Sequence, residues 1–193
     1  LGRLDESEAS YAQAIALKPD YDEAHNNLGI TLHKLGRLDE AEASFTQVIA
    51  LKPDLADAHN NMGITLQELG RCDEAETSYK QAIALKPDYA EAHYHLGGTL
   101  HELGRCDEAE TIYKQAIALK PHYAEAYSNL GITLQELGRL EEAEASYTQS
   151  IALKPDFSTA HNNLGNTLQE LGRLDEAVAS YTQAIALKPD FAD

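Results

Sequence analysis

The sequence has no tryptophan, a single methionine, two cysteines, and only 15 lysines and arginines among its 193 residues. Each scarcity removes a class of function. Cys72 and Cys106, with no paired spacing, are not a disulfide framework. Few basic residues set against 32 acidic ones leave a formal net charge of −17. No nucleic-acid or anionic membrane partner is expected, because either needs clustered lysine and arginine. No apolar run approaches the ~20 residues that span a bilayer, so a soluble chain is expected. The first residue is Leu1, with no charged–apolar–small leader behind it. A cytoplasmic setting is expected, with the native N-terminus missing because the start falls in the middle of a recurring motif.

Proline and glycine are sparse too, but regular. Pro19, Pro53, Pro87, Pro121, Pro155 and Pro189 are spaced 34 residues apart, and no other proline occurs. Gly2, Gly36, Gly70, Gly104, Gly138 and Gly172 keep that period, as do Gly29, Gly63, Gly97, Gly131 and Gly165, leaving Gly98 as the one exception. Residues 1–193 are thus a single array. Its full units are 22–55, 56–89, 90–123, 124–157 and 158–191. Residues 1–21 are a preceding second half-unit, and 192–193 begin a truncated next one.

Each unit spells helix–turn–helix. Asp20 and Glu23 after Pro19 are spaced as a capping box for a first helix, and Asp39 with Glu42 for a second. Gly36 ends the first helix in a left-handed residue, and Lys52–Pro53 stops the second. Two helices of about 13 residues, each roughly 20 Å long, are predicted per unit. In the first, Ala24, Leu28, Leu32 and Leu35 fall within about 80° of one another. In the second, the small Ala41 column allows close helix approach, and the aromatic Phe45 column fills the space between layers. One hairpin cannot bury both stripes, so neighbours must stack into a solenoid.

A 34-residue helix–turn–helix with Leu-Gly in its first helix, Ala and an aromatic in its second and a closing Pro resembles the tetratricopeptide repeat (TPR). The resemblance covers the whole chain. It implies an all-α, right-handed superhelical solenoid whose first helices line a concave face that binds peptide, a protein-binding scaffold and not a catalyst. One departure is that His25, His59, His93 and His161 stand where the family usually has a bulky aromatic; only Tyr127 keeps one.

The first helices also carry two asparagine columns, unusual because asparagine competes for backbone hydrogen bonds. One column reads Asn26, Asn60, Tyr94, Ser128, Asn162; the other Asn27, Asn61, His95, Asn129, Asn163. Measured from the apolar stripe, Asn26 lies about 165° away and is expected to face solvent, or a ligand. Asn27 lies about 95° away, on the shoulder where the adjacent repeat approaches. Shoulder amides could bond the neighbouring repeat. Alternatively, helices ~8–10 Å apart would offer an extended peptide one carboxamide about every third residue, at ~3.3 Å per residue. A carboxamide both donates and accepts, matching peptide C=O and N–H. Asn27, Asn61, Asn129 and Asn163 resemble the asparagine ladder in the TPR region of O-GlcNAc transferases; His95 interrupts it. That resemblance leaves open a third role, the substrate-recruiting arm of a larger enzyme such as a glycosyltransferase.

The rest of the exposed stripe is acidic and amide-rich, with Lys34 its sole cation, and suits a basic or neutral polar segment. It argues against the lysine- and arginine-lined clamp that holds chaperone C-termini. Tyr94, Gly98 and His101, with His95, are read as a side-chain pocket in the third repeat. The histidines are expected to pack and not to bind metal, because His95 and His101 point about 120° apart. Cys72 and Cys106 are expected to be small buried residues, too far apart to pair. There is no nucleophile–base pair and no phosphate loop, so neither catalysis nor a cofactor is expected. Without polar end caps, copies are expected to associate end to end.

Overall fold

The structure is a computed structural model that describes residues 2–188; the expected start of a further repeat, with Pro189, lies outside them. The described residues form helices and no strand. They run α1 (Gly2–Leu17), α2 (Asp22–Lys34), α3 (Leu38–Leu51), α4 (Ala56–Glu68), α5 (Cys72–Leu85) and α6 (Ala90–Glu102). There follow α7 (Cys106–Leu119), α8 (Ala124–Glu136), α9 (Leu140–Leu153), α10 (Ser158–Glu170) and α11 (Leu174–Leu187). First helices have 13 residues and the second helices of the full repeats 14, close to the expected length, while α1 has 16.

The turn within each hairpin is fixed by its glycine. Gly36, Gly70, Gly104, Gly138 and Gly172 hold φ between 73° and 76°. Gly36 N–H donates to the His33 carbonyl at 2.9 Å and Arg37 N–H to the Leu32 carbonyl at 3.0 Å, the paired bonds of a left-handed glycine terminus. The capping boxes do not form. The N-cap residues are Tyr21 and Arg37, neither making a side-chain cap bond. The acidic residues instead lie in the first turns, as Asp22 and Glu23 or Asp39 and Glu40, where they meet the positive end of the helix dipole.

The chain divides into two compact units, Leu1–Thr99 and Leu100–Asp193. In the first, α2 packs on α3 and α4 on α5, α1 packs on α2 and α3 on α4, and the first helices α2 and α4 touch. The second repeats the scheme with α8 on α9, α10 on α11, α7 on α8, α9 on α10, and α8 touching α10. Ala41 and Phe45, with Ala75 and Tyr79, are fully buried in the first unit. Ala109, Ala143 and Tyr147 are their equals in the second. The ring lies directly on the first-helix glycine: a Cβ built on Gly29 would meet Phe45 Cε1 at 2.7 Å.

Within each unit, charge pairs tie a hairpin to the helix before it. Arg37 grips Glu40 through Nε at 2.6 Å and reaches back to Glu8 through Nη1 at 2.7 Å. Arg71 repeats this with Glu74 and Glu42, Arg139 with Glu142 and Glu110, and Arg173 with Glu176 and Glu144. The arginines of the turns are thus taken up in holding repeats together.

Candidate functional site

The asparagine columns are placed differently from expectation. Asn60 is only 5% exposed and Ser128 2%, while Asn26 and Asn162 are half-buried. The Asn26 column therefore does not face solvent directly. A helix in an array has neighbours on several flanks, so the side opposite its apolar stripe is not automatically open. The carbonyl oxygens of the Asn26 and Asn60 side chains are buried with no hydrogen-bond partner.

The Asn27 column is the more open one. Asn27 is exposed, and Asn61, Asn129 and Asn163 are half-buried. Among the described residues, the side-chain amides of Asn27, Asn61 and Asn163 bond to nothing in the chain; Asn129 does have an internal partner. Asn61 lines a cleft with Ile30, His33, Lys34, Phe45 and Ile64, all from the first unit. Asn26 and Asn27 line a second with Asp22, Glu23, Lys52, Leu55 and Asp57.

Sequence reasoning missed a threonine column beneath the ladder. Thr31, Thr65, Thr99, Thr133 and Thr167 are buried, and each hydroxyl donates to the carbonyl four residues earlier, at 2.8 to 3.2 Å. Those carbonyls belong to Asn27, Asn61, His95, Asn129 and Asn163, so the hydroxyls hold the backbone of every ladder position. The signal was visible as a β-branched polar residue four positions after each ladder residue. Three glutamines of the exposed stripe are anchored as well, Gln135 accepting from Tyr147 at 3.4 Å and from Thr167 at 3.3 Å. Gln67 accepts from the Tyr79 hydroxyl at 3.1 Å, and Gln169 from Tyr181 at 3.0 Å.

The histidines that stand in place of a bulky aromatic are buried or half-buried and also bond. The His25 ring meets the Pro19 carbonyl at 2.9 Å, and His59, His93 and His161 meet Pro53, Pro87 and Pro155 at 2.9 to 3.1 Å. A carbonyl only accepts, so Nε2 carries the proton in each.

In the first unit, His95 stacks on Tyr79 with ring centroids 5.7 Å apart, and Tyr94 meets it edge-on at 5.3 Å. Burial holds the His95 imidazole below its ordinary pKa, with Glu91 opposing. In the second unit, His101 lies against Glu136, Nε2 to Oε1 at 3.1 Å, and Cys106 Sγ donates to Glu136 Oε2 at 3.4 Å. Cys72 and Cys106 are half-buried, not buried as expected. Burial pushes the Cys106 thiol pKa up, and the hydrogen bond to Glu136 adds to it. The grouping of His101, Cys106 and Glu136 escaped sequence analysis because its acidic member comes from the following repeat.

Lys52 pairs with Asp22 at 2.6 Å and lowers its pKa. Lys154 pairs with Glu125 at 3.0 Å to the same effect. Lys34, by contrast, is exposed beside the Ile30–Ile64 cleft. No helix among the described residues is long and apolar enough to cross a membrane.

Comparison with known proteins places this architecture. The tetratricopeptide repeat family matches residues 20–88, 54–121, 88–156 and 124–190, and a TPR repeat pattern matches residues 1–36. The chain belongs to the tetratricopeptide repeat family. Among solved structures it is similar to MamA, at 28% identity and a TM-score of 0.77, over 86% of this chain and 96% of that one. A thermophilic TPR protein from Thermus thermophilus aligns at 28% identity with a TM-score of 0.71, over 87% of this chain and 92% of that one. YrrB, a TPR protein, shares the fold at 22% identity and a TM-score of 0.74, with 93% of both chains covered. No protein of curated function matches. The fold is an all-α TPR solenoid, and proteins of this family generally serve as protein–protein interaction scaffolds.

Proposed function

We propose that the chain binds an extended polar or basic protein segment along its first-helix face, with Asn27, Asn61, Asn129 and Asn163 gripping the segment's backbone. The observation that carries this reading is the unspent hydrogen-bonding capacity of Asn27, Asn61 and Asn163, whose amides have no partner in the chain. Amides that only fixed repeat stacking would be bonded to the adjacent hairpin. Their placement suits a ladder similar to that of O-GlcNAc transferases. Recruitment of substrates to a glycosyltransferase domain is one setting for it. The exposed Glu68, Glu102, Glu136 and Glu170 give the face its preference for a basic or neutral segment. Cys72 and Cys106, neither of them in a disulfide, suit a reducing compartment such as the cytoplasm.

Four backbone contacts of about 1 kcal/mol each reach only about millimolar affinity, so a micromolar complex draws the rest from side-chain contacts along the face. A peptide array identifies a binding segment, and the fourfold Asn→Ala variant at the ladder is then measured against it. Lost binding with unchanged melting supports the ladder. Unchanged binding overturns it.

A second reading, self-association through the last repeat, is favoured by α11. Leu174 is 61% exposed and Val178 63%. Val178 also stands in the column where Glu8, Glu42, Glu110 and Glu144 hold an arginine. Light scattering of the wild type and Val178→Glu tests it: a monomer at high concentration rules it out.

A further inference from the structure

We propose that His101, Cys106 and Glu136 form a binding site for a single divalent transition-metal ion, with zinc the best fit. The three side chains come from the last turn of α6, the first residue of α7 and the last residue of α8. Their ligand atoms all lie within 4.8 Å of one another. Two of the separations are known individually: 3.1 Å from His101 Nε2 to Glu136 Oε1 and 3.4 Å from Cys106 Sγ to Glu136 Oε2. Bond lengths of ~2.0 Å to nitrogen, ~2.1 Å to oxygen and ~2.3 Å to sulfur put tetrahedral ligand atoms roughly 3.3–3.7 Å apart. The nitrogen and the sulfur each approach a different oxygen of Glu136 at separations close to those of a tetrahedron's corners, so the carboxylate would hold the ion through both oxygens or turn to offer one.

A second observation is independent of the spacing. His101 Nε2 is buried and makes no hydrogen bond, even though a carboxylate oxygen lies 3.1 Å away. His33 Nε2, 3.2 Å from Glu68, is buried and unbonded in the same way, so the open nitrogen belongs to each His–Glu pair and the Cys106 sulfur is what the third repeat adds. A metal ion between the His101 nitrogen, the sulfur and the carboxylate would satisfy that nitrogen. Thiolate and imidazole select a borderline-soft ion such as zinc over magnesium or calcium. Thiolate and carboxylate together balance its two positive charges. Glu136 is 51% exposed, so the fourth position opens to water.

The array supplies its own controls. The same three columns hold His33, Leu38 and Glu68 in the first full repeat and Gln67, Cys72 and Glu102 in the second. The first has the histidine and acid without the sulfur, and His33 Nε2 indeed lies 3.2 Å from Glu68. The second has the sulfur and acid without the histidine. In the fourth, Gln135, Leu140 and Glu170 keep only the acid, with Gln135 bonded to it. Among the described residues, the third repeat alone brings all three donors together.

The test titrates the metal-free full chain with cobalt(II), then displaces it with zinc. One equivalent is expected to bind with a thiolate-to-cobalt charge-transfer absorption. Cys106→Leu and His101→Gln introduce side chains that other repeats already carry at those columns, so folding should survive, as circular dichroism would show. Each is expected to abolish the absorption and weaken zinc binding by more than the roughly 10–100-fold that outer-shell partners cost. Cys72→Leu and His33→Gln should bind as the wild type does. No charge-transfer band in the wild type would overturn the site. So would a band that survives Cys106→Leu, or one that Cys72→Leu removes.

Discussion

The ring of Tyr79 lies against the backbone of Gly63 so closely that a Cβ there would sit 2.6 Å from Cε1 and 2.8 Å from Cζ. Tyr79 is fully buried and its hydroxyl is tied to Gln67, so the ring has nowhere to retreat. Gly63→Ala would improve helix propensity by about 0.5–1 kcal/mol. Overpacking a well-filled core costs about 1–3 kcal/mol, and with both ring edge and hydroxyl held the upper part of that range applies. Net destabilisation is therefore expected, seen as a lower urea midpoint. A midpoint equal to or above the wild type would show that the hairpin opens without cost.

His59 offers a test of what replaced the family's bulky aromatic. Its ring reaches the Pro53 carbonyl at 2.9 Å, joining the start of α4 to the turn before it. His59→Ala should lose the bond and some packing, about 0.5–1.5 kcal/mol for the bond alone. His59→Tyr should recover most of the packing, because Tyr127 occupies the same column in the fourth repeat. Thermal melts of the two variants separate bonding from volume. Equal losses in both would mean that the hydrogen bond, not the ring, holds the turn.

The fold was legible because its signals are local and repeated. Gly36 and Pro53 punctuate by backbone geometry, and the Ala41 and Phe45 columns mark the packed face by size. What escaped depends on neighbours. Asn60 is buried because adjacent helices flank it, a fact that a single helical wheel cannot contain. Glu136 meets His101 and Cys106 from 30 or more positions away, through a contact that only stacking creates. The capping boxes failed for a third reason. The spacing of Asp20 and Glu23 was right, but the chain enters α2 at Asp22, leaving Asp20 outside the cap position.

Acid should weaken the first unit through His95. Burial against Tyr79 holds its pKa below the ordinary value, so the folded ring resists a proton that the unfolded chain accepts near pH ~6.5. With the folded pKa depressed, the unfolded state binds more protons as pH falls through about 6.5, and stability drops with it. His95→Asn, which restores the ladder residue, should flatten this dependence. Urea midpoints at about pH 7.5 and about pH 5.5 would show a smaller difference in the variant. A difference as large as in the wild type would place the sensitivity elsewhere. Carboxylates held down by partners, such as Glu110 beside Lys114 and Arg139, act in a lower window, losing their contribution as pH falls below about 4.5.

The two adjacent asparagines of the second full repeat should respond oppositely to removal. Asn60 is buried, and its side-chain carbonyl accepts no hydrogen bond, so the folded state carries the desolvation of a polar group with nothing in return. Asn60→Ser, the residue type at Ser128 in the same column, keeps a small polar side chain and lightens that burden. Stability should hold or rise by up to about 1 kcal/mol. Asn61 is more open, and its amide has no partner in the chain, so Asn61→Ala should leave melting within about 0.5 kcal/mol of the wild type. Its effect should appear only with a bound segment, as a loss of affinity of about 5-fold for a hydrogen bond of about 1 kcal/mol. Were Asn61→Ala instead the variant that lowers the melting temperature, its amide would be holding repeats together in solution. The free carboxamide on which peptide recognition depends would then not exist.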